Sequence, residues 1–209
     1  MSGIIAQNIL DNSGLIKAPA GGGAWNFIKK LTASASSDLS FVDGTSDVVL
    51  DSTYKEYLFT FNNIHPSNDG VGFLFNLSED TGSSYAVTKM STWFQAYHGE
   101  SDAYVGGGGV AYNASYDLAQ GTGTQYLSNN AGNGNDESGS GYLKLFGLSS
   151  TTFVKHWISN MNTYYFQDYL QNDFTAGYGN TTSAVDAVQF SMTAGNIDAG
   201  DICLYGLTT

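Results

Sequence analysis

The chain has 209 residues, of which 42% are hydrophobic and 14% aromatic, so it can bury a sizeable core and is not disordered throughout. Its seven basic residues are all lysines, and nineteen acidic residues oppose them, for a net charge of -12. Nucleic-acid binding depends on cationic groups that neutralise phosphates. The charge therefore argues against a DNA or RNA partner and against docking on an anionic membrane.

The first segment predicts an N-terminal arm, residues 1–23, ahead of a single domain over residues 24–209. Residues 19–23 (PAGGG) form a break, because proline fixes φ and glycines lose the most entropy on ordering. The apolar residues of the arm predict docking on the domain or on a neighbouring subunit: Ile4, Ile5, Ile9, Leu10, Leu15 and Ile16. A frayed terminus is the alternative. The segment has no basic n-region, and no run of about eighteen apolar residues occurs in the chain, so neither a signal peptide nor a membrane insertion is expected.

After the arm, the chain shows short β-rich runs separated by turn residues. They are residues 25–33, 39–42, 57–62, 71–77, 85–94, 142–148, 153–159, 162–167, 174–178, 187–192 and 202–207. Alternation is clearest at Tyr57, Phe59 and Phe61, the period of a strand with one buried face. Ten or eleven strands without helices predict an all-β fold, an antiparallel two-sheet sandwich of jelly-roll or lectin-like type.

Two hairpins are predicted from turn chemistry. One joins residues 57–62 to 71–77 through a Pro, Asn, Asp and Gly segment, and the other joins the last two strands through residues 193–200. Residues 96–141 are rich in Gly, Ser, Asn, Asp and Tyr, which predicts long loops interrupted by short strands near Tyr112 and Tyr126.

The residues that could support catalysis form no convincing constellation, so we predict that the chain is not an enzyme. Cys203 lies in an alternating apolar run that predicts a small buried hydrophobe. His65, His98 and His156 lack metal-site spacing. Carboxylates also occur close together in polar loops, which favours turn chemistry over the rigid pair of a glycoside hydrolase: Glu79 with Asp80, Glu100 with Asp102, and Asp136 with Glu137.

Metal and cofactor sites are not predicted either. Residues 68–70 and 136–139 could offer oxygens to calcium, but neither matches the twelve-residue EF-hand loop. Plain turn chemistry is the preferred interpretation, and no cofactor is expected.

A ligand-binding surface is indicated by aromatic residues set among Ser, Asn and Gly, the composition of an adaptable recognition surface. The candidates for contact with a glycan or a protein partner are Trp93, Tyr97, Tyr104, Tyr112, Tyr116 and Tyr126. Aromatic rings stack on sugar faces, and neighbouring amides can bond sugar hydroxyls. The alternative is that these tyrosines are half-buried strand residues.

Four stretches resemble small β-rich virion proteins of marine tailed phages, of cyanophage and pelagiphage type. They are residues 40–55 (SFVDGTSDVVLDSTYK), 61–66 (FNNIHP), 149–156 (SSTTFVKH) and 195–207 (GNIDAGDICLYGL). The resemblance covers about residues 25–207, and the chain departs from it mainly between residues 104 and 141.

What the resemblance implies is a non-enzymatic virion structural protein, made in the host cytoplasm and assembled onto the particle surface. It would serve as a capsid decoration or spike, or as a tail fibre component. Other virion proteins are then the expected partners, and a homo-oligomer is expected, with a trimer favoured. A glycan-binding adhesin that recognises a host-surface glycan is the alternative, and a glycoside hydrolase is the weakest one.

Overall fold

A computed structural model describes residues 25–102 and 108–207, and within these residues the fold is all-β, with thirteen strands and no helix. The strands are β1 (Trp25–Thr32), β2 (Asp38–Val42), β3 (Glu56–Pro66), β4 (Val71–Ser78), β5 (Lys89–Gly99), β6 (Gly108–Tyr112), β7 (Ala119–Gly121), β8 (Gln125–Ala131), β9 (Gly139–Phe146), β10 (Lys155–Tyr165), β11 (Tyr169–Gly179), β12 (Ala187–Met192) and β13 (Ile197–Leu207). The predicted arm and its apolar residues lie outside the described residues.

The strands pair in two antiparallel layers. The large layer has the order β1-β13-β3-β9-β10-β11-β5, and both β6 and β7 pair with the far edge of β5. The small layer has the order β2-β12-β4-β8. The layers are joined at one end by a single pair, Tyr165 of β10 with Ala131 of β8. This confirms the predicted antiparallel sandwich class, while its jelly-roll or lectin-like type stays a prediction.

Phenylalanines from both layers meet in the main core. Phe59 and Phe61 of β3 point inward and contact Phe41 of β2 and Phe73 of β4, with both ring-centroid distances at 5.1 Å. Phe190 of β12 stacks on Phe73 at 5.8 Å. All five side chains are buried, and each buried ring of this kind contributes about 2 to 3 kcal/mol to stability.

Both predicted hairpins are wrong. β3 pairs with β13 and β9, whereas β4 pairs with β12 and β8, so β3 and β4 lie in different layers. The same holds for β12, which pairs with β4 and β2, and β13, which pairs with β1 and β3. The physical reason is that each strand carries a strongly apolar face, and two such faces bury more surface opposite each other than side by side.

Strand limits also differ from the prediction. Residues 153–159 and 162–167 were expected as two strands, but β10 runs unbroken through Asn160 and Asn162, whose side chains point outward. β5 begins at Lys89 rather than at residue 85, and it extends to Gly99. The short strands expected near Tyr112 and Tyr126 are present as β6 and β8, and β7 was not predicted.

Two buried lysines close one end of the sandwich. Lys155 and Lys89 lie on either side of Gly179 in register, and both are fully buried. The Lys155 ammonium donates to the carbonyl oxygens of Ser150 (2.6 Å) and Phe153 (2.8 Å) and of residue 181 (3.2 Å). An ammonium group has three donors, and here all three tie loops together.

The Lys89 ammonium is caged in a similar way. It donates to the side-chain oxygen of Asn76 and to the carbonyl oxygen of Val87, 2.7 Å away. Desolvation lowers the pKa of Lys89 to about 8.

Among the described residues there is no helix of the length and hydropathy needed to cross a membrane.

Candidate functional site

Three of the predicted ligand-binding aromatics pack into one cluster, in which Trp93 is buried and both Tyr116 and Tyr126 are half-buried. Trp93 of β5 is 0% exposed, and its ring contacts Tyr116 at 4.8 Å. Tyr116 in turn contacts Tyr126 of β8 at 4.7 Å. Gly72 of β4 makes room for Tyr126, because a Cβ at this position would lie 2.6 Å from the ring. Trp93 is therefore a packing residue that no ligand can reach in this structure.

The other predicted aromatics are dispersed. Tyr97 of β5 is partly buried and packs against Tyr169 of β11 at 6.2 Å. Tyr112 of β6 is 61% exposed, and its hydroxyl donates to the carboxylate of Asp117. Tyr104 lies outside the described residues. The five described residues therefore do not form one shared surface, and of these five only Tyr112 is largely open to solvent.

The interior beneath β5 and β11 is polar, which the sequence analysis did not anticipate. Gln171, Asp173 and Thr175 of β11 all point inward and are buried. The Gln171 amide donates to both carboxylate oxygens of Asp173 at 2.8 Å, and the backbone N–H of Asn129 donates to Asp173 at 3.3 Å. Desolvation nevertheless raises the pKa of Asp173 to about 8, so its neutral form is favoured at neutral pH.

Several buried polar atoms around Asp173 have no hydrogen-bond partner within the described part of the chain. They include Oε1 of Gln171, Oε1 of Gln95 and the indole Nε1 of Trp93. Gln95 is the register neighbour of Asp173 across β11 and β5. A protonated Asp173 carries a donor, and the two glutamine oxygens are acceptors beside it, so the neutral acid suits this interior better than the carboxylate.

The opposite side of the same strands faces solvent and is apolar. We define the outer face as the solvent-facing residues of β9, β10, β11, β5 and β6. At its centre, Phe94 of β5 and Phe174 of β11 are register partners whose rings stack at 4.9 Å with an interplanar angle of 8°. They are 40% and 37% exposed, and Ile158, Leu170, Val110 and Tyr112 surround them with still larger exposed fractions.

The polarity of β11 is thus inverted relative to an ordinary surface strand. β11 buries Gln171 and Asp173 and exposes Leu170 and Phe174, whereas the neighbouring β5 is mixed, because it buries Lys89 as well as Trp93 and exposes Phe94. A strand with one solvated face normally alternates apolar-in and polar-out. Contiguous exposed apolar surface on a soluble protein marks an interaction site.

A groove lies at one end of the outer face, where β5, β10 and β11 meet the loop before β9. It has a volume of about 480 Å³, and its lining includes His98, Glu100, Asp136, Asn162, Tyr164 and Leu170. The Tyr164 hydroxyl donates to Asp168 at 3.1 Å. Desolvation and this hydrogen bond raise the pKa of Tyr164 to about 12, so the phenol stays neutral. The groove therefore combines an aromatic ring, an aliphatic side chain, an amide and carboxylates.

The residues considered for catalysis occupy separate places. Cys203 is buried and free, as predicted, and His65 lies 3.5 Å from Asp198 whereas His98 lies 3.1 Å from Asp102. His156 is elsewhere on the outer side of β10. No group of three or more His, Cys, Asp or Glu that could hold a metal ion occurs in residues 25–102 and 108–207.

The carboxylates expected in turns accept hydrogen bonds there. Asp80 accepts from the Ser78 hydroxyl at 2.7 Å and from the backbone N–H of residue 84 at 2.8 Å, and these bonds lower its pKa. Glu137 accepts from the N–H of Gly134 at 2.6 Å. The two stretches considered for calcium are neighbours, since the N–H of Asn133 donates to Asp69 at 3.4 Å.

The outer face was not predicted, although the sequence contains a signal for it. Residues 170–176 alternate Gln, Asp and Thr with Leu, Asn, Phe and Ala, so one face is mostly apolar and the other polar. The pattern shows that the two faces differ, and the usual rule then assigns the apolar face to the core. Comparison of the chain with protein-family models, with curated proteins and with solved structures found no match.

Proposed function

We propose that this chain is a non-enzymatic structural protein of a tailed-phage virion, exposed on the particle surface as a capsid decoration or tail fibre component. The inverted polarity of β11, with Phe94 of β5 beside it, carries the proposal, because it presents an exposed apolar patch that contact with another subunit would cover. The resemblance of residues 40–55, 61–66, 149–156 and 195–207 to virion proteins supports the same role.

A buried polar interior beneath an exposed apolar face costs stability in an isolated molecule. Apolar area left in water forgoes about 25 cal/mol per Å², and Asp173 adds a desolvation cost on the other side of the strand. Both features fit a protein that completes its burial only on a particle. Around Phe94 and Phe174 the outer face is an open sheet rather than a cleft, which favours contact with another subunit over catalysis there.

The experiment is a cryo-EM map of intact particles of the phage that encodes the chain, with the sandwich located in the density. The proposal expects the outer face of Phe94 and Phe174 to be in contact with another virion subunit, on the capsid or on the tail. Absence of the chain from purified particles, checked by mass spectrometry of the same sample, would overturn the proposal.

A glycan-binding adhesin is the second candidate, and the end groove is the observation that favours it. Tyr164 and Leu170 offer an apolar surface to a sugar ring, and Asn162, Glu100 and Asp136 offer hydrogen-bonding groups to its hydroxyls. The groove replaces Trp93 and Tyr97 as the place where a glycan would bind, because Trp93 is buried.

We expect the substitution Tyr164→Ala to weaken glycan binding by on the order of 1 to 2 kcal/mol, since the variant lacks the ring that would contact the sugar face. The measurement is titration calorimetry with a sugar first identified on a glycan array. Phe153→Ala, at an exposed loop position away from the groove, is the matched control and should bind like the native chain. If the Tyr164→Ala variant bound the sugar as tightly as the native chain, the groove would not be the glycan-binding site.

A further inference from the structure

The outer face is organised in cross-strand rows that run perpendicular to the strands. One row consists of Asn160, Phe174, Phe94 and Tyr112, which are successive register partners across β10, β11, β5 and β6. The next row brings Ile158 of β10 beside residues 176 and 92. Rows of this kind give a sheet face ridges and grooves that a second sheet can fill.

The face is large enough to support a stable association. Five strands at about 4.8 Å spacing give a width of about 24 Å, and the outward residues of β10 span about 27 Å along the strand. Treated as a flat rectangle, the face therefore has an area of about 650 Å². This is close to the roughly 800 Å² that each partner buries in a standard protein–protein interface. A partner of similar size that covers the whole face would therefore bury about as much surface as a standard interface does.

The charge distribution identifies which partner fits. The outward residues of β5, β6, β9, β10 and β11, all within the described part of the chain, include no Asp or Glu, although the chain carries nineteen acidic residues. Lys144 of β9 is the one lysine among them, and its ammonium is paired with Glu56 of the neighbouring β3. Carboxylates stand around the border instead, among them Asp117 and Asp168. A cationic partner would be drawn to the border, whereas a second copy of this acidic chain meets the least repulsion on this face.

From the size and the charge we propose that two copies of this chain associate face to face through their outer faces, with the Phe94 and Phe174 pair near a two-fold axis. The contact is isologous, because each copy contributes the same patch. The inference rests on the proposed function and names the subunit that covers the face. A two-fold pair differs from the trimer favoured by the sequence.

The test is the mass of the purified full chain in solution, by sedimentation velocity and by light scattering after size exclusion, at about 0.15 M salt. The native chain is expected at twice the 22.2 kDa of one chain. Phe174→Glu and Ile158→Glu should each weaken association by at least about a hundredfold, because like charges would face each other across the axis. Thr45→Glu, at an exposed position in the β2–β3 connection away from the face, should remain dimeric.

Circular dichroism and thermal melting of each variant confirm that the monomer has kept its fold. The inference would be overturned if the native chain, diluted 100-fold from about 1 mM, were monomeric. It would also be overturned if neither Phe174→Glu nor Ile158→Glu weakened the dimer. A trimer would overturn it as well. If the chain is monomeric in solution but present on particles, the face-to-face pair fails while the virion proposal survives, and its outer face is then covered by a different subunit.

Discussion

Replacing Asp173 with asparagine is expected to raise the free energy of unfolding at pH 7 by on the order of 4 kcal/mol relative to the native chain. Burial raises the pKa of Asp173 from 3.8 to about 8, so the folded chain keeps a proton that the unfolded chain releases. Asparagine is close in shape and always neutral. Its one side-chain oxygen can still accept from the Gln171 amide.

The sign of the pH dependence follows from the raised pKa. The contribution of Asp173 to stability is fully present below pH 3.8 and is lost as the pH rises towards about 8, because over this range the unfolded chain ionises and the folded chain does not. The asparagine variant has no such loss. The two proteins should therefore be similar in stability near pH 3.5 and diverge steadily up to pH 8.

The measurement is urea denaturation of both proteins at intervals between pH 3.5 and pH 8. Lys89 adds little pH dependence over this range, since its pKa is lowered from 10.5 to about 8 and both the folded and the unfolded chain keep its proton until the pH approaches 8. It is also common to both proteins. Asp47→Asn, at an exposed position in the β2–β3 connection, controls for the loss of one carboxylate. A native chain and an Asp173→Asn variant with parallel stability curves would show that Asp173 is ionised in the fold.

Replacing Trp93 with alanine is expected to lower the free energy of unfolding by about 3 to 5 kcal/mol. The indole is fully buried and packs on Tyr116, which bridges to Tyr126 of the small layer. Removing it leaves a cavity between β5 and the connection that follows β6. Loss of ligand binding in this variant would then report on unfolding rather than on a lost sugar contact.

Guanidinium denaturation of Trp93→Ala measures the effect, with Phe27→Ala as the control. Phe27 of β1 is an aromatic residue outside the outer face and is 60% exposed, so its removal should change stability by less than about 1 kcal/mol. If Trp93→Ala kept native stability and lost affinity for a glycan, the buried position of the ring would be contradicted and a direct binding role restored.

The sequence was sufficient to predict the strands of the main core but not their partners. Tyr57, Phe59 and Phe61 alternate with outward residues, and they point into the core as expected. Alternation describes one strand at a time, so it cannot distinguish a neighbour in the same layer from one in the facing layer. Turn residues between β3 and β4 suggested a hairpin, whereas the connection in fact crosses from one layer to the other.

The candidate site was harder to predict because its strands reverse the usual rule. In β5, Trp93 and Phe94 are adjacent aromatics on opposite faces, and nothing in the local sequence shows which of them is buried. In β11, burial of Asp173 depends on Gln171 and on the backbone of Asn129, a residue distant in sequence. Such long-range polar contacts leave no periodic signal in the chain.

The caged ammonium groups of Lys89 and Lys155 act as cations that are covalently part of the chain. Loops that many extracellular proteins organise around a captured calcium ion are here organised around the protein's own side chains. Order at this end of the sandwich therefore comes from the chain's own ammonium groups. On the proposed virion it would depend on the protonation of Lys89, whose pKa is lowered to about 8, rather than on a captured divalent ion.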